Sequence, residues 1–146
     1  MQISAKGEYA IRAVLDLALE RARGLTPIQE IAARQGIPQR YLEQVLLALK
    51  RAGLLTSRRG AAGGYHLTRP PEDISVGDVL RAVEGVRAPF EAQRRGPRNG
   101  NDAHDLDDLW AEVGRAVSEV VDRVTFGELA ARAQARRSAG RLMYHI

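Results

Sequence analysis

Cysteine is absent from the 146 residues. That absence excludes disulfides, thiolate zinc sites, cysteine nucleophiles and cysteine-ligated clusters together. It also fits a reducing compartment. Long apolar runs are missing as well. No stretch approaches the roughly 20 residues needed to span a bilayer, and Met1 to Lys6 lacks the apolar core of a secretory signal. The expectation is a soluble, cytoplasmic protein with no membrane partner. No glycine-rich loop ends in Lys-Ser or Lys-Thr, so Gly60 to Gly64 does not read as a phosphate cradle. No nucleophile–base set is apparent either. Glu8, Asp16 and Glu20 have the spacing of paired carboxylates but read as a solvated face of the first helix. An enzyme is therefore not expected. There is no internal repeat.

What the chain does have is a localised positive charge. Its net charge is +4, with 22 Lys/Arg against 18 Asp/Glu. Residues 1–87 hold 13 basic and 9 acidic side chains, whereas residues 88–146 hold 9 of each. Within residues 40–69, Arg40, Lys50, Arg51, Arg58, Arg59 and Arg69 face the lone acid Glu43. A basic patch of this kind is what phosphate binding requires.

Hydrophobic periodicity gives the order of elements. Tyr9, Ala10, Ala13, Val14, Leu17 and Ala18 recur at helical spacing, predicting a helix over 7–21 that ends at Gly24. Thr26, Pro27 and Gln29 form a helix-start signal, with Thr26 as cap and Gln29 completing a capping box. The second helix then runs to about Arg34. Gln35-Gly36-Ile37 is a tight connector. A third helix opens at Pro38 and runs to about Ala52, with Tyr41, Leu42, Val45, Leu46 and Leu49 inward. Leu54 to Ser57 and Tyr65 to Leu67 are short alternating runs around a glycine-rich tip, which predicts a hairpin. Ser75 caps a fourth helix over 76–84. Residues 88–101 carry Pro89, Gly96, Pro97 and Gly100 and read as a loop. A long helix over 105–124 follows, with Asp105, Asp107 and Asp108 in its first turn. Thr125 to Glu128 starts a last helix ending near Arg137.

The predicted fold is thus mainly α with a small β-hairpin wing: a winged helix-turn-helix domain plus a long C-terminal helix. The units are 1–87 for the winged domain, 88–103 for the flexible loop, 104–138 for the dimerisation and terminal helices, and 139–146 for the tail. The third helix is of a size to enter a major groove. Its outward positions near the N-terminal end are Gln39, Arg40, Glu43 and Gln44. Gln pairs bidentately with adenine, Arg with guanine, and Glu accepts from cytosine. Arg58 and Arg59 stand beside the glycines of the hairpin tip, in reach of a minor groove or of phosphates. The competing reading is a winged-helix module that has lost DNA binding and mediates protein contacts.

Four stretches resemble the Rrf-two family of bacterial winged helix-turn-helix regulators: Ser4 to Ala13, Ile37 to Leu46, Ala52 to Gly60 with Gly63 to Leu67, and Ile74 to Gly85. Trp110 and Thr125 to Leu129 extend the likeness, which covers roughly residues 1–130. The resemblance implies a transcriptional regulator, with repressor the favoured direction. It implies a homodimer on a palindromic operator in double-stranded DNA, and contacts from Gln39, Arg40, Tyr41, Glu43, Gln44, Arg58 and Arg59. It also implies a dimer seam along Leu106, Leu109, Trp110, Val113, Val117, Val120 and Val124. The apolar stripe of that helix fits the seam, because an amphipathic helix must bury its stripe. The alternative is that this helix folds back on its own domain.

The chain departs from the family at the cluster loop. Where many members carry three cysteines, this sequence places His104 and positions near Arg98 and Ala92. Asp107 and Glu8 correspond to further ligands of some members. Clusters are overwhelmingly thiolate-held, so no metal and no cofactor are expected. The signal is left open between a regulatory protein, such as the cysteine synthase used by one branch of the family, and a small-molecule effector.

Overall fold

The computed structural model describes residues 3–85 and 105–144. The loop expected over 88–103, and His104 after it, lies outside the described residues. The elements are α1 (Ala5–Leu19), a 3-10 turn (Arg21–Arg23), α2 (Ile28–Gln35), α3 (Gln39–Arg51), β1 (Leu55–Arg58) and β2 (Gly64–Leu67). A second 3-10 turn (Pro71–Asp73) precedes α4 (Val76–Glu84), α5 (Asp107–Arg123) and α6 (Phe126–Tyr144). This is the expected mainly helical architecture with one two-stranded hairpin.

α1 begins two residues before the expected start because Ser4 caps it, its hydroxyl accepting from the Gly7 amide at 3.1 Å. Ala10, Ala13, Val14 and Leu17 pack inward, and α1 runs against α2, α3, α4 and α6. Asp16 departs from the solvated-face reading: it is 2% exposed. Arg34 of α2 donates to both of its carboxylate oxygens at 2.9 Å, and Gln35 adds a bond at 3.2 Å. A buried carboxylate is tolerable when paired and hydrogen-bonded in this way. The bond to Asp16 raises the Arg34 guanidinium above its ordinary pKa, so it stays charged at any working pH.

Thr26 is not the cap of α2. Pro27 holds that position without a side-chain bond. Thr26 instead exchanges backbone hydrogen bonds with Tyr65, at 2.9 and 2.8 Å, and is thereby an isolated third rung beside the hairpin. Gly36 adopts the left-handed conformation at φ 62° that ends α2, and Ile37 is buried just after it. α3 then buries Leu42, Val45, Leu46 and Leu49 completely.

In the hairpin Leu55 pairs with Leu67, and Arg58 with Gly64. Leu55 and Leu67 face the core, while Thr56 and His66 between them face solvent, the period-two alternation of a half-buried strand. Glycine is required at the tip by close approach. A Cβ on Gly63 would collide with the Arg58 carbonyl, and one on Gly64 with the Thr26 backbone.

α4 carries the complete capping box of Ser75 and Asp78. A joint then ties the C-terminal helices to this point. Val76 donates to the Val124 carbonyl and Phe126 to the Ile74 carbonyl, both at 2.9 Å. Phe126, fully buried, fills the core beside them. Thr125 caps α6 through a bond from the Glu128 amide at 3.2 Å, while the Glu128 carboxylate pairs with Arg132. Asp107 and Asp108 occupy the first turn of α5, and Asp105 precedes it. α6 continues to Tyr144, past the expected end near Arg137 and through most of the presumed tail. Its Ala- and Arg-rich composition favours helix, and Gly140 in its C-terminal part does not interrupt it.

Candidate nucleic-acid interface

The candidate surface starts from the amphipathicity of α3. Four leucines and valines fix one face in the core, so the opposite positions are held in solvent by the same packing. Gln39, Arg40, Glu43 and Gln44 are all exposed. Tyr41 is turned away from them. It is half-buried and meets Tyr9 of α1 edge-on, ring centroids 5.3 Å apart. Arg12 lies over the other partner of that pair, 5.0 Å from the Tyr9 ring, and donates to the Gln35 carbonyl at 2.9 Å. This chain of contacts ties α1, the end of α2 and the start of α3 together, and it fixes the angle at which α3 is presented.

The wing is joined to the same surface. Lys50, near the C-terminal end of α3, donates to the Ser57 hydroxyl of β1 at 2.7 Å. The Thr26–Tyr65 rung holds β2 against the start of α2. Arg58 and Arg59 are both exposed at the entrance to the tip. Among the described residues neither forms an ion pair or hydrogen bond with an acid, and the same holds for Arg40 and Arg51. Four unneutralised guanidiniums on α3 and the wing give the local positive potential that attracts a polyanion. Leu47, which sequence reasoning passed over, and Arg51, which it placed in the basic patch but not among the groove contacts, also lie exposed on α3. The signal was present in their spacing from Arg40, at i+7 and i+11.

The stripe on α5 is open. Leu106, Leu109, Trp110 and Val120 are exposed, Trp110 at 47%, and Val113, Val117 and Val124 are half-buried. α5 rests on α4, and Asp122 accepts from Arg81 at 2.7 Å. One side of α5 is thereby covered by its own chain. No helix among the described residues is long and apolar enough to cross a membrane.

The family described as "Rrf2: Iron-dependent Transcriptional regulator" matches residues 3–132. The HTH-type transcriptional regulator IscR of Klebsiella pneumoniae (strain 342) is 34% identical over 145 residues, covering 99% of this chain and 89% of that protein. IscR of Aliivibrio salmonicida is 39% identical over 130 residues, covering 88% and 77%. Among solved structures, CymR, the global cysteine regulator of B. subtilis, superposes with a TM-score of 0.76 at 35% identity, covering 90% of this chain and 98% of that one. T. potens IscR gives 0.75 at 35% identity, covering 91% and 88%.

The iron in the family description finds no matching donor set here. Clusters are held by thiolates, and the chain has no cysteine. Glu8 is exposed, with its carboxylate 3.9 Å from the Arg12 guanidinium, whose positive charge opposes a metal cation beside it. Among the described residues no three His, Asp or Glu side chains gather as a metal site, and His104 lies outside them. With a matching fold, an uncovered basic face and relatives that are transcriptional regulators rather than enzymes, this cysteine-free chain belongs to the Rrf2 family of DNA-binding winged-helix regulators.

Proposed function

We propose that the protein is a sequence-specific repressor that binds a palindromic operator as a homodimer and works without an iron–sulfur cluster. The observation that carries this reading is the pairing of two exposed features on one rigid unit: the outward row of α3 and the unneutralised wing arginines. Gln39, Arg40, Glu43 and Gln44 read base edges in the major groove, and Tyr41 supports them from beside Tyr9. Arg59, with Arg58 beside it, enters the minor groove or holds phosphates. Residues 1–87 carry these contacts and residues 88–103 form the link. The helices within 104–138 bring two copies together, burying Leu106, Leu109, Trp110, Val113, Val117, Val120 and Val124 against the partner's stripe. Two-fold symmetry then sets two reading heads about one or more DNA turns apart. An occupied operator that overlaps a promoter excludes polymerase by volume, which is the basis for repression. The signal is a regulatory protein or a small molecule, and the site of action is the cytoplasm.

The test is selection of bound fragments from sheared genomic DNA of the source organism. The expected result is a shared inverted repeat in the recovered fragments. Recovery without a common sequence would overturn the sequence-specific reading, and recovery of no DNA at all would favour the winged-helix protein-interaction module.

A further inference from the structure

α3 presents one large apolar side chain to solvent. Leu47 is 46% exposed, whereas Leu42, Leu46 and Leu49 on the same helix are fully buried. It belongs neither to the core nor to the partly buried residues packed against the core. Arg40, Gln44, Leu47 and Arg51 follow the spacing i, i+4, i+7, i+11, which forms a single line along a helix. The line is exposed at each of these positions. Leu47 therefore lies one turn beyond Gln44, on the side of the helix proposed above to face base edges.

We infer that Leu47 is a specificity-determining residue that packs on the 5-methyl group of a thymine in the major groove. The inference rests on the DNA-reading role of α3. Of the groups that base pairs display in that groove, the thymine methyl is the apolar one, and the others are hydrogen-bond donors and acceptors. A leucine offers no donor or acceptor and is matched by that group alone. Gln44, its neighbour toward the N-terminus, has the donor–acceptor pair that suits adenine. Together they favour an A·T-containing step near the middle of each half-site. Arg51, at the end of the line, is left with the phosphates.

The experiment uses a duplex bearing the sequence that the full-length wild-type protein selects from a randomised pool. Each thymine is replaced in turn, in both half-sites, by deoxyuridine, which removes only the methyl. At one thymine position the wild type is expected to lose roughly fourfold in affinity per half-site, the factor for burying one methyl-sized group. Leu47→Ala is expected to bind the thymine and deoxyuridine duplexes equally, and Leu47→Met to keep the preference. Equal melting temperatures of the three proteins confirm that the exposed position leaves the fold intact. Undiminished wild-type affinity for every deoxyuridine duplex, or full thymine preference in Leu47→Ala, overturns the inference while leaving DNA reading by α3 in place. Failure of the wild type to select any sequence overturns both.

Discussion

At the scale of single residues, two arginines show how position decides role. Arg59 is exposed, unneutralised and at the entrance of the wing tip. Arg59→Ala is expected to weaken binding to a selected operator by about 1–3 kcal/mol, measured by fluorescence anisotropy. Undiminished affinity would remove the wing from the mechanism. Arg34 is held by Asp16, and its work is structural. Asp16→Ala removes two charge-assisted bonds but leaves the guanidinium with Glu30 at 3.2 Å and with access to water, and is expected to lower unfolding stability by about 2 kcal/mol, read from urea denaturation. A loss below half of that would show that the pair is dispensable. These two residues also mark what sequence can and cannot disclose. The exposure of Arg59 follows from a hairpin that local alternation and glycines announce. The burial of Asp16 depends on where α2 docks, and no spacing within α1 reports that.

Elements differ in legibility for the same reason. α4 was readable to the residue because the Ser75 cap and the apolar positions after it are all local signals. The capping signal at Thr26 misled because a rung to Tyr65, 39 positions along the chain, claims its backbone. The joint between Ile74–Val76 and Val124–Phe126 was likewise invisible, since pairing between distant segments leaves no periodicity in either. That joint makes Phe126 the anchor of the C-terminal helices on the winged domain. Phe126→Ala is expected to cost about 3–5 kcal/mol, as for a fully buried aromatic, with a calorimetric transition shifted to match. A change under 1 kcal/mol would mean that α5 and α6 are seated independently of the core. The outward line of α3 was legible in its first half, where Gln39, Arg40, Glu43 and Gln44 are polar. Leu47 was passed over because an apolar residue in an amphipathic helix reads as core until packing shows otherwise.

For the whole molecule, the fold and the basic face were legible, because patterning and charge distribution are properties of the chain itself. The proposed assembly requires a second copy, and among the described residues the uncovered stripe is what bears on it. Trp110, half exposed at the start of α5, is the most sensitive place to probe the proposed seam. Trp110→Asp sets a charge into it and is expected to yield monomers in sedimentation equilibrium, because an unpaired charge is costly to bury. A dimer that survives would place the seam elsewhere. The central claim is that α3 and the wing together form a surface that reads duplex DNA, and salt-dependent affinity tests it most directly. Anisotropy titrations of a selected duplex and a scrambled one are compared over a range of salt concentrations. The account predicts affinity that falls steeply and linearly on a log–log plot, with the selected duplex bound at least about 10³-fold more tightly. Affinity indifferent to salt, or equal for the two duplexes, would contradict it.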